Sequence, residues 1–319
     1  MSFANDLRNE LTDKIPSQQH CRLAELAGMM LVGGALEKAE DGAVSLSFST
    51  EKENIAKKCF TFLKKSFNID IVAGKRAAAG RRRGYVVRVP GERNALACAE
   101  EMCFHRPGGQ PFGAREALAD WKYSFPGRSC CAKSLLRGAF LAGGAMNDPD
   151  KSYHYEITVP TAGAGEPLAK ALSVFGCEPK LWERRGSYAI YLKDAAQIAD
   201  ALTIMGATAA RVRFEDIRVV RNKRAEVQRK VNCEVSNLAK TTSASNKQIE
   251  AIQEIERTVG IASLPEELQE MARVRLEYAD ASLQELGTHL NPPLARSGVN
   301  HRLQKLLGIA EGLRLKEGG

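Results

Sequence analysis

No stretch of this 319-residue sequence is apolar over the length a membrane-spanning helix needs. The longest apolar run, Ala27 to Leu36, is about ten residues and carries three glycines, against the ~20 apolar residues of a spanning helix. The first turns hold Asn5, Asp6, Arg8 and Glu10 and lack the basic start, apolar run and small-residue cleavage site of a secretory signal. No membrane partner and a cytoplasmic address are therefore expected. The eight cysteines (Cys21, Cys59, Cys98, Cys103, Cys130, Cys131, Cys177 and Cys233) form no Cys-x-x-Cys pair, and no histidine stands at metal-ligand spacing from them. They read as reduced, mostly buried thiols. Catalytic signatures are also missing: there is no Gly-x-x-x-x-Gly-Lys loop, no Gly-x-Ser-x-Gly elbow and no His-Glu-x-x-His pair. His105 and His154 stand alone, as structural histidines do. No catalytic residue, cofactor or metal is expected, and no enzyme.

What remains is an ordinary globular composition with a basic excess. Lys and Arg number 46 against 38 Asp and Glu, giving a net charge of +8 and a pI near 9.1, which favours a polyanionic partner. Hydrophobic residues at 44% and charged residues at 26% exclude general disorder and collagen-like repeats. The length exceeds the ~150 residues of a single-domain prior, so two or three domains are expected.

The most informative feature is an internal repeat. Leu23 to Leu36 lies over Lys133 to Met146 with Gly28 on Gly138 and Gly33-Gly34 on Gly143-Gly144, an offset of 110 residues, and both copies begin beside cysteine. Each Gly-Gly ends a helical apolar run, so close helix packing explains it better than a nucleotide loop. Strand-like runs follow (Val44 to Ser49; Tyr153 to Val159), then amphipathic helices (Ile55 to Phe67; Leu168 to Phe175). Two more strands per half (Ile69 to Ala73 and Tyr85 to Val89; Pro179 to Glu183 and Tyr188 to Leu192) precede closing helices near Asn94 to Cys103 and Ala195 to Gly206. With a weaker strand before each middle helix, both halves read α, β, β, α, β, β, α. The intervening Arg106 to Arg128 is a turn-rich linker by its glycines and prolines.

From Arg211 to Lys230, eight basic residues stand against three acids, as in a connector with a basic face. Beyond it only helical periodicity remains, with Ser263-Leu264-Pro265-Glu266-Glu267 as a helix start. Ser282 to Leu290, a short Asn291-Pro292-Pro293 turn and a helix from about Ala295 to Gly312 form a helix-turn-helix arrangement, whose second helix enters the major groove. Val299, Leu303, Leu306, Leu307 and Ala310 give that helix its packing face. The opposite face carries Arg296, Ser297, Asn300, His301, Arg302 and Lys305, with no carboxylate before Glu311. Arg and Lys reach guanine edges and Asn pairs with adenine, while a carboxylate would meet phosphate repulsion. The plainer alternative is a solvated basic face on a helical hairpin. A second basic feature, Lys75, Arg76, Arg81, Arg82, Arg83 and Arg88, lies in and just after a hairpin loop, where it suits phosphate contact or simple solvation.

Two copies of Leu-x-Gly-x-x-x-x-Gly-Gly, each followed by β, β, α, β, β, α, resemble the LAGLIDADG homing endonuclease fold. With the C-terminal helix-turn-helix the chain resembles the WhiA family of bacterial regulators. The likeness runs from Met1-Ser2-Phe3-Ala4 through Cys21 to Gly28 and on to Ser297-Gly298-Val299-Asn300-His301-Arg302-Leu303. In the endonucleases the eighth residue of each motif is an acid that holds a divalent metal, and here those positions are Gly33 and Gly143. Glycine offers Mg²⁺ no oxygen ligand, so the resemblance implies a degenerate, non-cutting domain.

The expected architecture is α+β. A duplicated αββαββα domain with pseudo-twofold symmetry covers 1–208, with repeats at about 20–105 and 130–206. A basic linker covers 209–231, and a small all-α helix-turn-helix domain covers 232–319. The helix-turn-helix points to sequence-specific binding of double-stranded DNA, and the resemblance implies that this is promoter DNA in the cytoplasmic nucleoid of a Gram-positive bacterium, bound to regulate transcription in sporulation, cell division or chromosome segregation. A second transcription regulator is a further candidate partner. Two rivals stand beside it: a protein-binding or ligand-sensing platform tethered to DNA, and a nuclease using acids outside the motif such as Glu37 or Asp148.

Overall fold

The computed structural model describes residues 2–76, 84–108 and 113–317 and divides into two compact units, Met1–Asn222 and Lys223–Gly319. The first opens with α1 (Phe3–Asp13), which buries Phe3, Leu7 and Leu11, spaced four apart on one face. The first repeat follows as α2 (Gln19–Gly33), β1 (Gly34–Lys38), β2 (Val44–Thr50), α3 (Glu53–Ser66), β3 (Val72–Arg76), β4 (Gly84–Pro90) and α4 (Glu92–Glu101). Three short strands, β5 (Phe104–His105), β6 (Arg115–Ala117) and β7 (Lys122–Tyr123), lead to the second repeat. It comprises α5 (Ser129–Gly143), β8 (Gly144–Met146), β9 (Tyr155–Val159), α6 (Ala162–Ser173), β10 (Lys180–Arg184), β11 (Ser187–Leu192) and α7 (Ala195–Met205). Both halves carry the order read from the sequence.

The antiparallel order β3-β4-β2-β1 recurs in the second half as β10-β11-β9-β8. The first sheet gains one strand, because β6 pairs with β1 from Ala35↔Ala117 to Glu37↔Arg115. The segment 106–128 is therefore more than a linker. Its Leu118, Ala119 and Trp121 are buried, and that apolar burial outweighs the turn-forming glycines and prolines around it.

α2 and α5 pack along the axis that relates the halves, and glycine sets their approach. A Cβ at Gly28 would overlap the Leu135 carbonyl oxygen, and one at Gly138 the Glu25 carbonyl oxygen, contacts that correspond under the 110-residue offset. Gly138→Ala should therefore push the two backbones apart and destabilise this unit by about 1–3 kcal/mol, the usual cost of overpacking. Thermal unfolding followed by tryptophan fluorescence tests this, since both tryptophans, Trp121 and Trp182, lie in the first unit. An unchanged midpoint would refute it.

One charged cluster is buried beside this helix pair. Glu25 is fully buried on α2, its carboxylate 2.7 Å from the Lys58 ammonium and 2.9 Å from Nε of Arg137. Lys58 also donates to the carbonyls of Leu11 and Lys14, each at 2.7 Å, and Arg137 donates to the Met205 carbonyl at 2.8 Å. Burial pushes the Lys58 ammonium below its ordinary pKa while Glu25 pulls it back up.

α8 (Thr208–Thr258) runs 51 residues with neither proline nor glycine to interrupt it. The basic stretch 209–231 is thus helix throughout. Part of its basic face is engaged within the first unit: Arg213 pairs with Asp6 at 2.7 Å, and the Arg221 guanidinium stacks 4.2 Å from the Tyr153 ring centroid. Phe214 beside them is buried between Phe3 and Tyr153.

In the second unit, Ala251, Ile252 and Ile255 of α8 join a core with α9 (Glu266–Glu277), α10 (Leu283–Thr288) and α11 (Arg296–Glu317). Leu268, Met271, Leu286, Val299, Leu303 and Leu306 fill it. Arg275 is buried there with its charge satisfied, donating to Gln248 at 2.9 Å and to the Ala281 carbonyl at 2.7 Å.

Candidate nucleic-acid interface

α10 starts with a capping box. The Ser282 hydroxyl accepts from the Glu285 N–H at 3.3 Å, and the Glu285 carboxylate accepts from the Ser282 N–H at 2.8 Å, which holds that carboxyl below its ordinary pKa. Its far end is fixed by Gly287, where a Cβ would overlap the Leu294 carbonyl oxygen; the Leu294 N–H donates back to the Gly287 carbonyl at 3.0 Å. The turn at 289–295 is thereby held tightly, and α11 leaves it with no acid in its first turn.

α11 buries Val299, Leu303, Leu306 and Ala310, while Leu307 is partly buried. Arg296, Ser297, Asn300, His301 and Lys305 are exposed. Arg302 differs from them. It is half-buried on the flank facing α9, with its guanidinium 3.6 Å from the carboxylates of both Glu267 and Glu270. At 3.6 residues per turn it falls between the packing stripe and the exposed stripe, within reach of acids far away in sequence. In the free chain it ties α9 to α11.

Arg296, Asn300 and Gln304 stand four apart and border a recess of about 450 Å³ shared with Lys240, Thr241 and Gln284. Gln304, exposed one turn beyond Asn300, carries an amide suited to adenine and was missed in the sequence reading. Its spacing from Asn300 was the available signal. The recess is lined by cationic and amide groups and suits an anionic, hydrogen-bonding ligand such as a nucleic-acid backbone.

In the first unit, Arg81, Arg82 and Arg83 lie outside the described residues. Their neighbours Lys75 and Arg88 are exposed, Arg88 with Glu37 at 3.7 Å. The second half offers a face not anticipated from sequence, since every residue of β10 is exposed, including Lys180, Trp182 and Arg184. Trp182 lies 6.4 Å from the Tyr191 ring, and Lys193 sits over that ring at 5.3 Å.

The motif glycines occupy tight positions. A Cβ at Gly143 would stand 2.6 Å from the Thr158 carbonyl oxygen, and one at Gly33 would stand 3.0 Å from that of Ser49. Of the acids outside the motif, Glu37 lies between Arg88 and Arg115, and Asp148 accepts the Asp150 N–H at 3.1 Å. Metal-type ligands gather elsewhere among the described residues: His20, Cys21, Cys130 and Cys131 bring one imidazole and three sulfurs within 4.8 Å of one another.

Three family models match the chain: a WhiA N-terminal LAGLIDADG-like domain over residues 19–100, a WhiA LAGLIDADG-like domain over 132–224 and a WhiA C-terminal HTH domain over 227–310. A probable cell division protein WhiA of Lachnoclostridium phytofermentans is 37% identical over 98% of this chain and all of its own length. Its namesake in Oceanobacillus iheyensis is 38% identical, with 99% of each chain covered. Among solved structures, full-length WhiA from Thermatoga maritima matches with a TM-score of 0.56 at 22% identity, covering 98% of this chain and 99% of its own.

Proposed function

The chain belongs to the WhiA family, and on that premise we propose that it is a sequence-specific regulator that binds double-stranded promoter DNA and has no nuclease activity. The observation that carries this reading is the exposed, carboxylate-free stripe of α11, held by a short, tightly packed turn behind α10. Arg296, Ser297, Asn300, His301 and Lys305 read base edges, joined by Gln304. Arg302 keeps α11 seated on α9, and Lys240 and Gln284 beside the recess take phosphate oxygens. We assign base readout to residues 232–319 and the duplicated domain to 1–208, with 209–231 connecting them.

Loss of cutting follows from the motif positions. Glycine at 33 and 143 supplies no carboxylate, so these positions lack the two acids of an endonuclease metal site. The cell-division name of the relatives supports a regulatory role in division, and by extension in sporulation and chromosome segregation. The protein works at the nucleoid, in the cytoplasm, with a second transcription regulator as a further partner.

Selection of random genomic duplexes by the purified full chain tests this, run at two salt concentrations with and without Mg²⁺. An enriched motif on uncut DNA is expected. Recovery without a motif that fades steeply with salt would reduce the activity to phosphate attraction, whose slope is about −0.9 per neutralised phosphate. Cut ends appearing only with Mg²⁺ would refute the loss of catalysis.

A further inference from the structure

The first turns of α2 and α5 put four metal-type side chains in one place, at the opposite end of the helix pair from Gly33 and Gly143. Under the 110-residue offset, His20 corresponds to Cys130 and Cys21 to Cys131. The group is therefore two symmetry-related pairs meeting on the pseudo-twofold axis. Nδ1 of His20 lies 3.3 Å from Sγ of Cys131 and 3.4 Å from Sγ of Cys21, and all four ligand atoms fall within 4.8 Å of one another. A tetrahedral zinc ion with Zn–S near 2.3 Å and Zn–N near 2.0–2.1 Å needs ligand atoms about 3.5–3.8 Å apart. The group is already close to that size.

We propose that His20, Cys21, Cys130 and Cys131 bind one zinc-class divalent cation, a structural site that clamps the two repeats together at the N-terminal ends of their central helices. The donor set chooses the metal. Three sulfurs and one imidazole with no carboxylate suit Zn²⁺ and exclude the oxygen-seeking Mg²⁺ and Ca²⁺. Four protein ligands leave no open position, so the site is structural and carries no hydrolytic role.

The surroundings fit a thiolate-rich ion. Three thiolates and a neutral imidazole leave a zinc complex with one net negative charge. That charge sits at the positive ends of two helix dipoles. Cys21 and Cys131 are buried, His20 is half-buried and Cys130 is exposed, which leaves a way in for the metal. A cavity of about 300 Å³ lined by His20, Cys131, Tyr123 and Arg128 adjoins the group. Burial pushes Cys21 up and Cys131 up to about 12. Joining residues 20–21 to 130–131 closes a loop of 110 residues in the unfolded chain, the long-range connection from which a cross-link gains most.

Cobalt(II) added to the reduced full-length protein should give one equivalent of tetrahedral, thiolate-ligated metal. The signs are a sulfur-to-cobalt charge-transfer band and intense visible bands, both displaced by Zn²⁺. Cys130→Ser changes an exposed residue and should keep the fold, yet weaken cobalt binding by about tenfold or more. Cys233→Ser, an exposed cysteine of α8, should change nothing. Zinc should raise the thermal midpoint of the parent and not that of Cys130→Ser. Absence of a tetrahedral cobalt spectrum, a spectrum indifferent to Cys130→Ser, or a disulfide within the group in protein kept under reductant would each overturn the site.

Discussion

Glu25→Ala is expected to cost the first unit about 3–5 kcal/mol, the range for removing one partner of a buried ion pair. The substitution deletes a carboxylate that neutralises two cations at once, Lys58 at 2.7 Å and Arg137 at 2.9 Å. The Lys58 side chain is only 4% exposed and cannot turn to water without disturbing α1, whose Leu11 carbonyl it also holds. Lys58 would then be left charged without the carboxylate it pairs with or forced to give up its proton, and both outcomes weaken folding. Arg137 retains the Met205 carbonyl and the Ser134 hydroxyl, so the larger share of the loss falls on Lys58. Tryptophan fluorescence in denaturant reads this without interference, since the second unit has no tryptophan. Lys58→Met in the Glu25→Ala background should recover part of the loss, because it removes the stranded charge. An undiminished midpoint for Glu25→Ala would show that the cluster is not structural.

Nothing in the local sequence announces that cluster. Under the repeat, Glu25 corresponds to Leu135, so the symmetry that exposes the fold predicts an apolar residue there. Its partners come from α3 and α5, elements that meet only once the halves pack. The duplication itself was legible because it rests on Gly28, Gly138 and the two Gly-Gly pairs, of which Gly28 and Gly138 stand where the facing backbone leaves no room for a Cβ. Elements outside the repeat were harder to read. α1 buries only three of its eleven residues, and β6 is three residues placed among turn-formers. The expected basic linker is helical, a point charge density did not reveal because it says nothing about helix propensity in a stretch free of glycine and proline.

The two sites divide along the same physical line. The exposed stripe of α11 follows from one segment and its period, so the exposure of Arg296, Ser297, Asn300, His301 and Lys305 was readable from sequence. Arg302, expected on that stripe, is half-buried beside Glu267 and Glu270, carboxylate partners that belong to another helix. The sulfur–imidazole group was invisible to a search for spaced ligands within one segment. Its only sequence trace is that both copies of the repeat begin beside cysteine.

Replacing Arg296 and Asn300 together by alanine should weaken binding to the selected site by about 30- to 20,000-fold, taking ~1–3 kcal/mol for each bidentate base contact and near additivity. Both side chains are exposed and neither contributes to the core beneath, so the second unit should keep its stability within about 0.5 kcal/mol. The loss must then be specific: large on the selected sequence and small on a scrambled duplex, because base readout is absent from the scrambled complex. Lys240→Ala beside the recess provides the contrast. It should lower affinity for both duplexes alike and reduce the salt slope by about one unit, the mark of a lost phosphate contact. Arg302→Ala separates from both, since its guanidinium holds α9 against α11; it should lower the unfolding midpoint of the second unit as well as its affinity. Equal losses of the Arg296 and Asn300 double variant on selected and scrambled DNA would remove α11 as the base-reading helix. The surviving affinity would then have to come from basic surfaces that do not distinguish sequence.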